Sequence, residues 1–392
     1  MNLKLLGIPV LALAALLAFS AAGSKPASAA GATWNIVVGQ SAQSIAANDF
    51  LPDAITIHEG DTIHFASPSL EPHTVSYVPA GMATPGLIVP GPSGPPQFMF
   101  NPDAANATAA GPFDAAKYYN SGLLQQNSTA DLTFPTHGTF TFLCLLHGPT
   151  MSITVNVVNA AVPVQTQAQL DAQAKAFGDE LIADGVFAAA GIRSTSQLMA
   201  DGSHNWSVQT GGGAKEADIL QFNTQNITIA VGDTVTWTNP TATPHTVTFL
   251  DAGDTAPPLI TPVFQPSGPP LLTFTAKAFL PAGGATYNGS GYTNSGFFDA
   301  AEGPTNKYAL KFTAPGTYKY LCLLHADQGM VGTITVAGAR PTPVDGVIGA
   351  PNTGTGPVAA GSGSWWAAVL MLGITGAALV LAGTRLGAKR AR

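Results

Sequence analysis

The sequence predicts an all-β protein: two antiparallel β-sandwich domains joined by a short helical linker and followed by a C-terminal transmembrane helix. Three observations carry that expectation. Stretches of the 392-residue chain recur at fixed offsets. Within those stretches apolar and polar residues alternate with period two, as half-buried strands require. The chain closes on an uncharged apolar run and a basic tail.

Taken from the start, residues 1–30 read as a secretory signal peptide, with Lys4 before the apolar run Leu5 to Phe19 and small residues at Ala27 to Ala30 for cleavage. The first domain spans 31–158 and the second 206–337. Trp34 matches Trp206, Ala54 to Phe65 matches Asn226 to Trp237, and "PHTVSY" from Pro72 matches "PHTVTF" from Pro244, all 172 residues apart. Further on, "HGTFTFLCLLH" from His137 matches "PGTYKYLCLLH" from Pro315 at an offset of 178. A repeat of this length is a whole domain.

Within each copy the strands are short and punctuated by Gly and Pro. Ser152 to Val157 places Ile153, Val155 and Val157 on one face, and Glu59-Gly60 turns the chain between two alternating runs. Between "PHTV" and the cysteine of each copy lie about 70 residues rich in Pro, Gly and Asn, expected to pack as a loop or to carry a short helix. In the linker, 159–205, Leu170, Ala174, Phe177 and Leu181 fall on one helical face behind a Thr166 cap. Residues 338–364 form a Pro-, Gly- and Ser-rich tether. Trp365 to Gly383, the 19 uncharged residues of 365–383, are long enough to cross a bilayer, leaving 384–392 as a basic cytoplasmic tail. A second reading of the tail stays open, because Ala350 to Gly354 followed by an apolar span resembles a sortase cell-wall sorting signal.

Charge narrows the function. Six of the 15 basic residues lie in the end segments, which leaves nine basic against 22 acidic residues in the exported body, a net charge near −13. No basic stripe is available for nucleic acid, and an acidic surface favours cationic partners.

The chemistry concentrates in "FLCLLHGPTM", Phe142 to Met151, and "YLCLLHADQGM", Tyr320 to Met330, which hold both cysteines of the chain. Alternation puts Cys144 and Cys322 on inward faces at strand ends, with His147 and His325 in the loops that follow. Each "PHT" adds a further imidazole, His73 and His245. A disulfide would have to join equivalent strand ends of separate domains, which the short reach of a bridge disfavours. Two imidazoles, a thiolate and a weak thioether suit copper in both oxidation states, whereas structural zinc calls for a fourth strong ligand.

In these motifs the chain resembles two plastocyanin-like domains of the cupredoxin family, small blue copper proteins, over residues 34–158 and 206–337. The resemblance implies type 1 copper, up to two per chain, held by His73, Cys144, His147 and Met151 and by His245, Cys322, His325 and Met330. The second copy has the C-x2-H-x4-M spacing that closely resembles plastocyanin, while the first is one residue shorter, so Met151 is the weaker match. It also implies that the edges of His147 and His325 serve as electron ports, with Leu145, Leu146, Leu323 and Leu324 excluding water.

The expectation is an extracytoplasmic, membrane-tethered one-electron carrier that meets redox partner proteins through a basic docking surface on the partner. Two other classes stay open: a copper enzyme of the nitrite reductase or multicopper oxidase type, and a copper delivery or storage protein. The first would need histidines beside the cysteines, where this chain has Leu143, Leu145, Leu321 and Leu323, and His58, His64, His137 and His204 are scattered.

Overall fold

A computed structural model of the chain describes residues 31–94, 97–300 and 306–339. The expected signal peptide, most of the tether, the transmembrane helix, the basic tail and the sorting motif lie outside the described residues. Among the described residues no helix is long and apolar enough to cross a membrane.

Each copy folds as two facing sheets. In the first copy strand Thr33–Ala42 lies between Ile45–Leu51 and Thr62–Ser67, and the last of these pairs with Ser128–Thr133. The facing sheet runs Ala54–His58, Gly148–Val158, Gly138–Cys144, Ser76–Tyr77, Tyr119–Asn120. The second copy repeats both patterns, with His204–Thr210 beside Thr234–Thr238 in one sheet and Asn226–Val231 beside Val331–Ala339 in the other. These four pairings are parallel, Trp34 opposite Ile63 and Ile55 opposite Val155 for example. The sandwiches are therefore mixed, which corrects the expectation of purely antiparallel sheets. The reason is connectivity: the chain leaves the first sheet, makes strand Ala54–His58 in the facing sheet, and returns at Thr62 beside and along its first strand.

Composition explains the interior. Phe142 sits 5.2 Å from Phe113 and 5.5 Å from Tyr77, ring centre to ring centre. Its counterpart Tyr320 sits 4.5 Å from Phe222 and 5.4 Å from Trp237. Full burial of one such ring stabilises the fold by roughly 1.5–3 kcal/mol. The repeated tryptophan has a structural cause as well. The Trp34 indole N–H donates to Asp61 Oδ2 at 2.8 Å and that of Trp206 to Asp233 Oδ2 at 3.2 Å, which ties the first strand of each copy to its turn.

The linker helix, Gln167–Gly191, is 25 residues long, not short. Thr166 caps it, as the sequence suggested, and Gln169 completes a capping box with Thr166. Its buried line is Leu170, Ala174, Gly178, Leu181 and Gly185, with Phe177 only half-buried. Glycine mid-helix costs about 1 kcal/mol against alanine. Here it permits close approach, since a Cβ at Gly185 would stand 2.5 Å from Ile45 Cγ2. The expected linker range also supplies strand Thr195–Leu198 to the second copy's sheet.

The two copies are woven together. Hairpin Gly213–Ala214/Ala217–Ile219, within the second copy, extends the first copy's sheet by pairing Ala217 with Ala47 and Ile219 with Ile45. The long segments before each cysteine, expected to pack as a loop or to carry a short helix, carry the helices Pro102–Ala105 and Ala276–Phe279. They also form a four-stranded sheet across the copies, Ile260–Val263, Leu271–Phe274, Phe98–Phe100, Ile88–Pro90, joined where Thr273 meets Met99.

Candidate metal centres

Cys144 ends strand Gly138–Cys144 and is fully buried, and Cys322 follows strand Gly316–Leu321, likewise buried. Both thiols are free. His73 is pinned by reciprocal backbone hydrogen bonds with Leu124, and His245 by the same pair of bonds with Phe298. Behind each ring stands a glycine with positive φ, Gly39 at +70° and Gly211 at +71°. A Cβ there would lie 2.1 Å from His73 Nε2 or 2.2 Å from His245 Nε2. Glycine is thus required twice over, by the backbone and by the ring it cradles.

With Nε2 turned to the glycine, Nδ1 faces the sulfur. In the first centre His73 Nδ1 and His147 Nδ1 are 3.1 Å apart, and they lie 4.0 and 3.4 Å from Cys144 Sγ. In the second centre the nitrogens of His245 and His325 are 3.0 Å apart and lie 3.8 and 3.4 Å from Cys322 Sγ. Each trio of ligand atoms falls within 4.8 Å. Met151 and Met330 are fully buried in the same apolar clusters as their cysteines.

The sulfur is also held from behind. The N–H of Thr74 donates to Cys144 Sγ at 3.3 Å, while Thr74 Oγ1 accepts from the N–H of Leu145 at 2.8 Å. Thr246 repeats both contacts with Cys322 and Leu323, at 3.4 and 2.8 Å. Such bonds tune a thiolate ligand and fix the loop that carries it.

Electrostatics favours the thiolate form of both cysteines. Burial pushes both thiols up, but the adjacent imidazoles, His147 and His325 foremost, more than offset this and hold Cys144 and Cys322 well below the usual thiol range. Burial lowers His73. Burial would lower His325 too, but the Cys322 sulfur and the Glu71 carboxylate reverse that and raise it. A thiolate and two imidazole nitrogens converging on one buried point fit a soft or borderline cation, and the donor set fits copper.

The centres differ after the second histidine. Strand Gly148–Val158, with Met151 inside it, begins directly after His147. His325 is instead followed by a 3-10 turn, Ala326–Gln328, that Gly329 closes at φ +88°. This turn accommodates the extra residue of the second motif. Its end also ties Met330 to the centre, since Met330 N–H donates to His325 O at 3.1 Å and Cys322 N–H to Met330 O at 3.0 Å.

Both second histidines line one cavity of about 370 Å³ between the copies, together with Leu146, Leu324, Glu71 and Gln328. The expectation of two outward ports meets a difference here: His325 is buried, and its Nε2 lies 3.5 Å from Glu71 Oε2 of the first copy. Glu71 Oε1 accepts from Gln328 Nε2. The unassigned histidines are engaged elsewhere, His64 with Asp131 at 2.6 Å, His137 with Glu59 at 2.8 Å and His58 with the Val162 carbonyl at 2.9 Å. Sequence reasoning missed Gly39, Gly211, Thr74, Thr246, Glu71 and Gln328. The first four were visible as identities at the 172-residue offset. Glu71 was not, since Thr243 stands in its place in the second copy.

A buried thiol and paired imidazoles inside a β-sandwich form a pocket that could hold a metal ion. The profile of copper binding proteins, plastocyanin/azurin family, matches residues 208–337. Plastocyanin from Scenedesmus fuscus is 30% identical over 121 residues, 31% of this chain and 91% of that protein. Chloroplastic plastocyanin from Physcomitrium patens is 27% identical over 191 residues, 48% of this chain and 86% of that protein. Among solved structures, oxidized plastocyanin from Dryopteris crassirhizoma is 19% identical with a TM-score of 0.20, covering 33% of this chain and 99% of that one. The chain belongs to the cupredoxin family.

Proposed function

We propose that the protein is a one-electron carrier with two type 1 copper sites, one in each copy, and not an enzyme. His73, Cys144, His147 and Met151 hold the first copper; His245, Cys322, His325 and Met330 hold the second. The observation that carries the reading is the twofold occurrence of a buried thiol with two imidazole Nδ1 atoms within 4.8 Å. Copper, when bound, supplies the one-electron couple. The chain's part is to keep the donors still. Gly39 and Gly211 seat one ring, Thr74 and Thr246 hold the sulfur, and Leu145, Leu146, Leu323 and Leu324 exclude water. A donor set that need not move between oxidation states lets an electron pass with little rearrangement, which argues for transfer over copper release.

The same reading places the body outside the cytoplasm, anchored by the apolar segment 365–383, where its acidic surface meets partners with basic docking faces. Leucines beside both cysteines, and histidines engaged by Asp131, Glu59 and Val162, count against the oxidase and nitrite reductase alternatives. The test is copper reconstitution of the full chain. Two coppers, intense thiolate-to-copper absorption and reversible one-electron reduction, without turnover of nitrite or dioxygen, are expected. Zinc retention, or copper lost to mild chelators without colour, would refute the reading.

A further inference from the structure

Glu71 stands two residues before His73, a donor of the first centre, yet its carboxylate points at the second. It is 6% exposed, accepts from the side chain of Gln328, and lies 3.5 Å from the ring nitrogen of His325 that faces away from Cys322. A carboxylate this buried is costly unless its partners are fixed. Both partners belong to the loop that carries the second centre's donors. The equivalent residue, Thr243, turns elsewhere: its hydroxyl donates to Asp218 Oδ2 at 2.6 Å. The arrangement is therefore a one-way connection built into the first copy and not a by-product of the repeat.

We propose that Glu71 is a positioning residue of the second metal centre supplied by the first domain, and that the path His73, Pro72, Glu71, His325 joins the two centres into one electron-sharing pair. The inference rests on the copper reading above. Glu71 fixes the orientation of the His325 ring from outside the donor set, as partners of ligating histidines do. Its negative charge beside that ring favours the oxidised centre. The path consists of covalent bonds, through the side chains of His73 and Glu71 and the backbone between them, apart from the single Glu71–His325 contact, so its conduction depends on that contact. The exchange takes one electron from one centre and delivers it to the other, and no proton or group moves.

The experiment uses the full chain loaded with copper. In a Cys144→Ser background only the second centre is coloured, and Glu71→Gln there should shift its Cu(I)/Cu(II) ratio at fixed ambient potential toward Cu(I) on the order of tenfold, ~59 mV for one electron. In the two-centre chain, Glu71→Leu should slow redistribution of an electron after partial photoreduction by tenfold or more, with Glu71→Gln between it and the parent. A purely structural Glu71 would change the melting temperature without moving the second centre's potential or absorption. Should the leucine variant fail to fold, Gln328→Leu, which releases the other contact of the carboxylate, should move the second centre's absorption while leaving the first centre's unchanged. An unaltered second centre in both Glu71→Gln and Gln328→Leu overturns the inference alone. Absence of thiolate-to-copper absorption in the parent chain overturns the copper reading with it.

Discussion

His147 and His325 stand at the same place in the two copies, three residues after the cysteine, but the first is half-buried at the edge of the cavity and the second is 3% exposed. The donors around them agree to within 0.2 Å in their mutual separations. What differs is the surroundings: a strand follows His147 at once, while a 3-10 turn carries Gln328 against Glu71 after His325. Duplication has thus preserved the donor geometry and altered access. Both second histidines line the cavity, but His147 is half-buried there, while His325 is buried with the Glu71 carboxylate beside its ring.

The largest test of that division is removal of a thiol. Cys144→Ser and Cys322→Ser should each abolish one copper and half of the thiolate absorption, measured by metal analysis and spectroscopy. Loss of both coppers from either substitution would break the comparison. Next come the glycines. Gly39→Ala and Gly211→Ala set a Cβ against a histidine ring at positive φ, and each should destabilise the fold by on the order of 2–4 kcal/mol in denaturant melts, with copper lost from its own centre only.

Asp49 offers a pH test of the asymmetry, since Gln221 occupies the equivalent position in the second copy. Burial pushes its carboxyl up from 3.8 to about 7, with the Phe50 N–H opposing and Asp53 and Glu216 adding to the rise. A folded-state value above the unfolded one means that the stabilisation is complete below the unfolded pKa and is lost as pH rises through about 7. Asp49→Asn should accordingly raise stability at pH 8 by ~1–3 kcal/mol and change little at pH 4, as read from melts at the two pH values.

Smaller effects sharpen the contrast. Met330→Leu should raise the second centre's reduction potential, on the order of ~60 mV or tenfold, by removing a thioether that favours Cu(II). Met151→Leu should move the first centre less, and equal shifts in redox titrations would deny the difference between the loops. At the small end, Thr166→Ala should cost about 1 kcal/mol through the lost helix cap and leave both centres' absorption unchanged.

The sequence pointed to the two Cys-His-His groups that the structure gathers, because cysteine is rare here and Cys144 and His147 recur as Cys322 and His325 at one offset, with His73 and His245 repeated at another. It also showed the helix, because Thr166 and the spacing of Leu170, Ala174 and Leu181 are local signals. It did not show the parallel pairings, since alternation reports which face a strand buries and says nothing of its neighbour's direction. Nor did it show that Gly213–Ile219 belongs to the first copy's sheet, because strand partners distant in the chain leave no periodic trace. Phe177 misled for a related reason: the helix approaches the sheet through Gly178 and Gly185, residues that a hydrophobic pattern does not count.

Strand Ile45–Leu51 is buried along its whole length, flanked by Thr33–Ala42 on one side and by the visiting hairpin Ala217–Ile219 on the other. That placement bears on whether the halves are separable modules. A fragment ending near residue 200 would lose the hairpin and leave Ile45–Leu51 with a bare hydrogen-bonding edge, the kind that recruits a neighbouring chain. Excised in this way, the first half should self-associate or precipitate, whereas a circularly permuted or hairpin-grafted version should stay monomeric. The two halves share a seam made of residues Gly213 to Ile219 together with the four-stranded sheet that spans both copies, so change in either half is constrained by it.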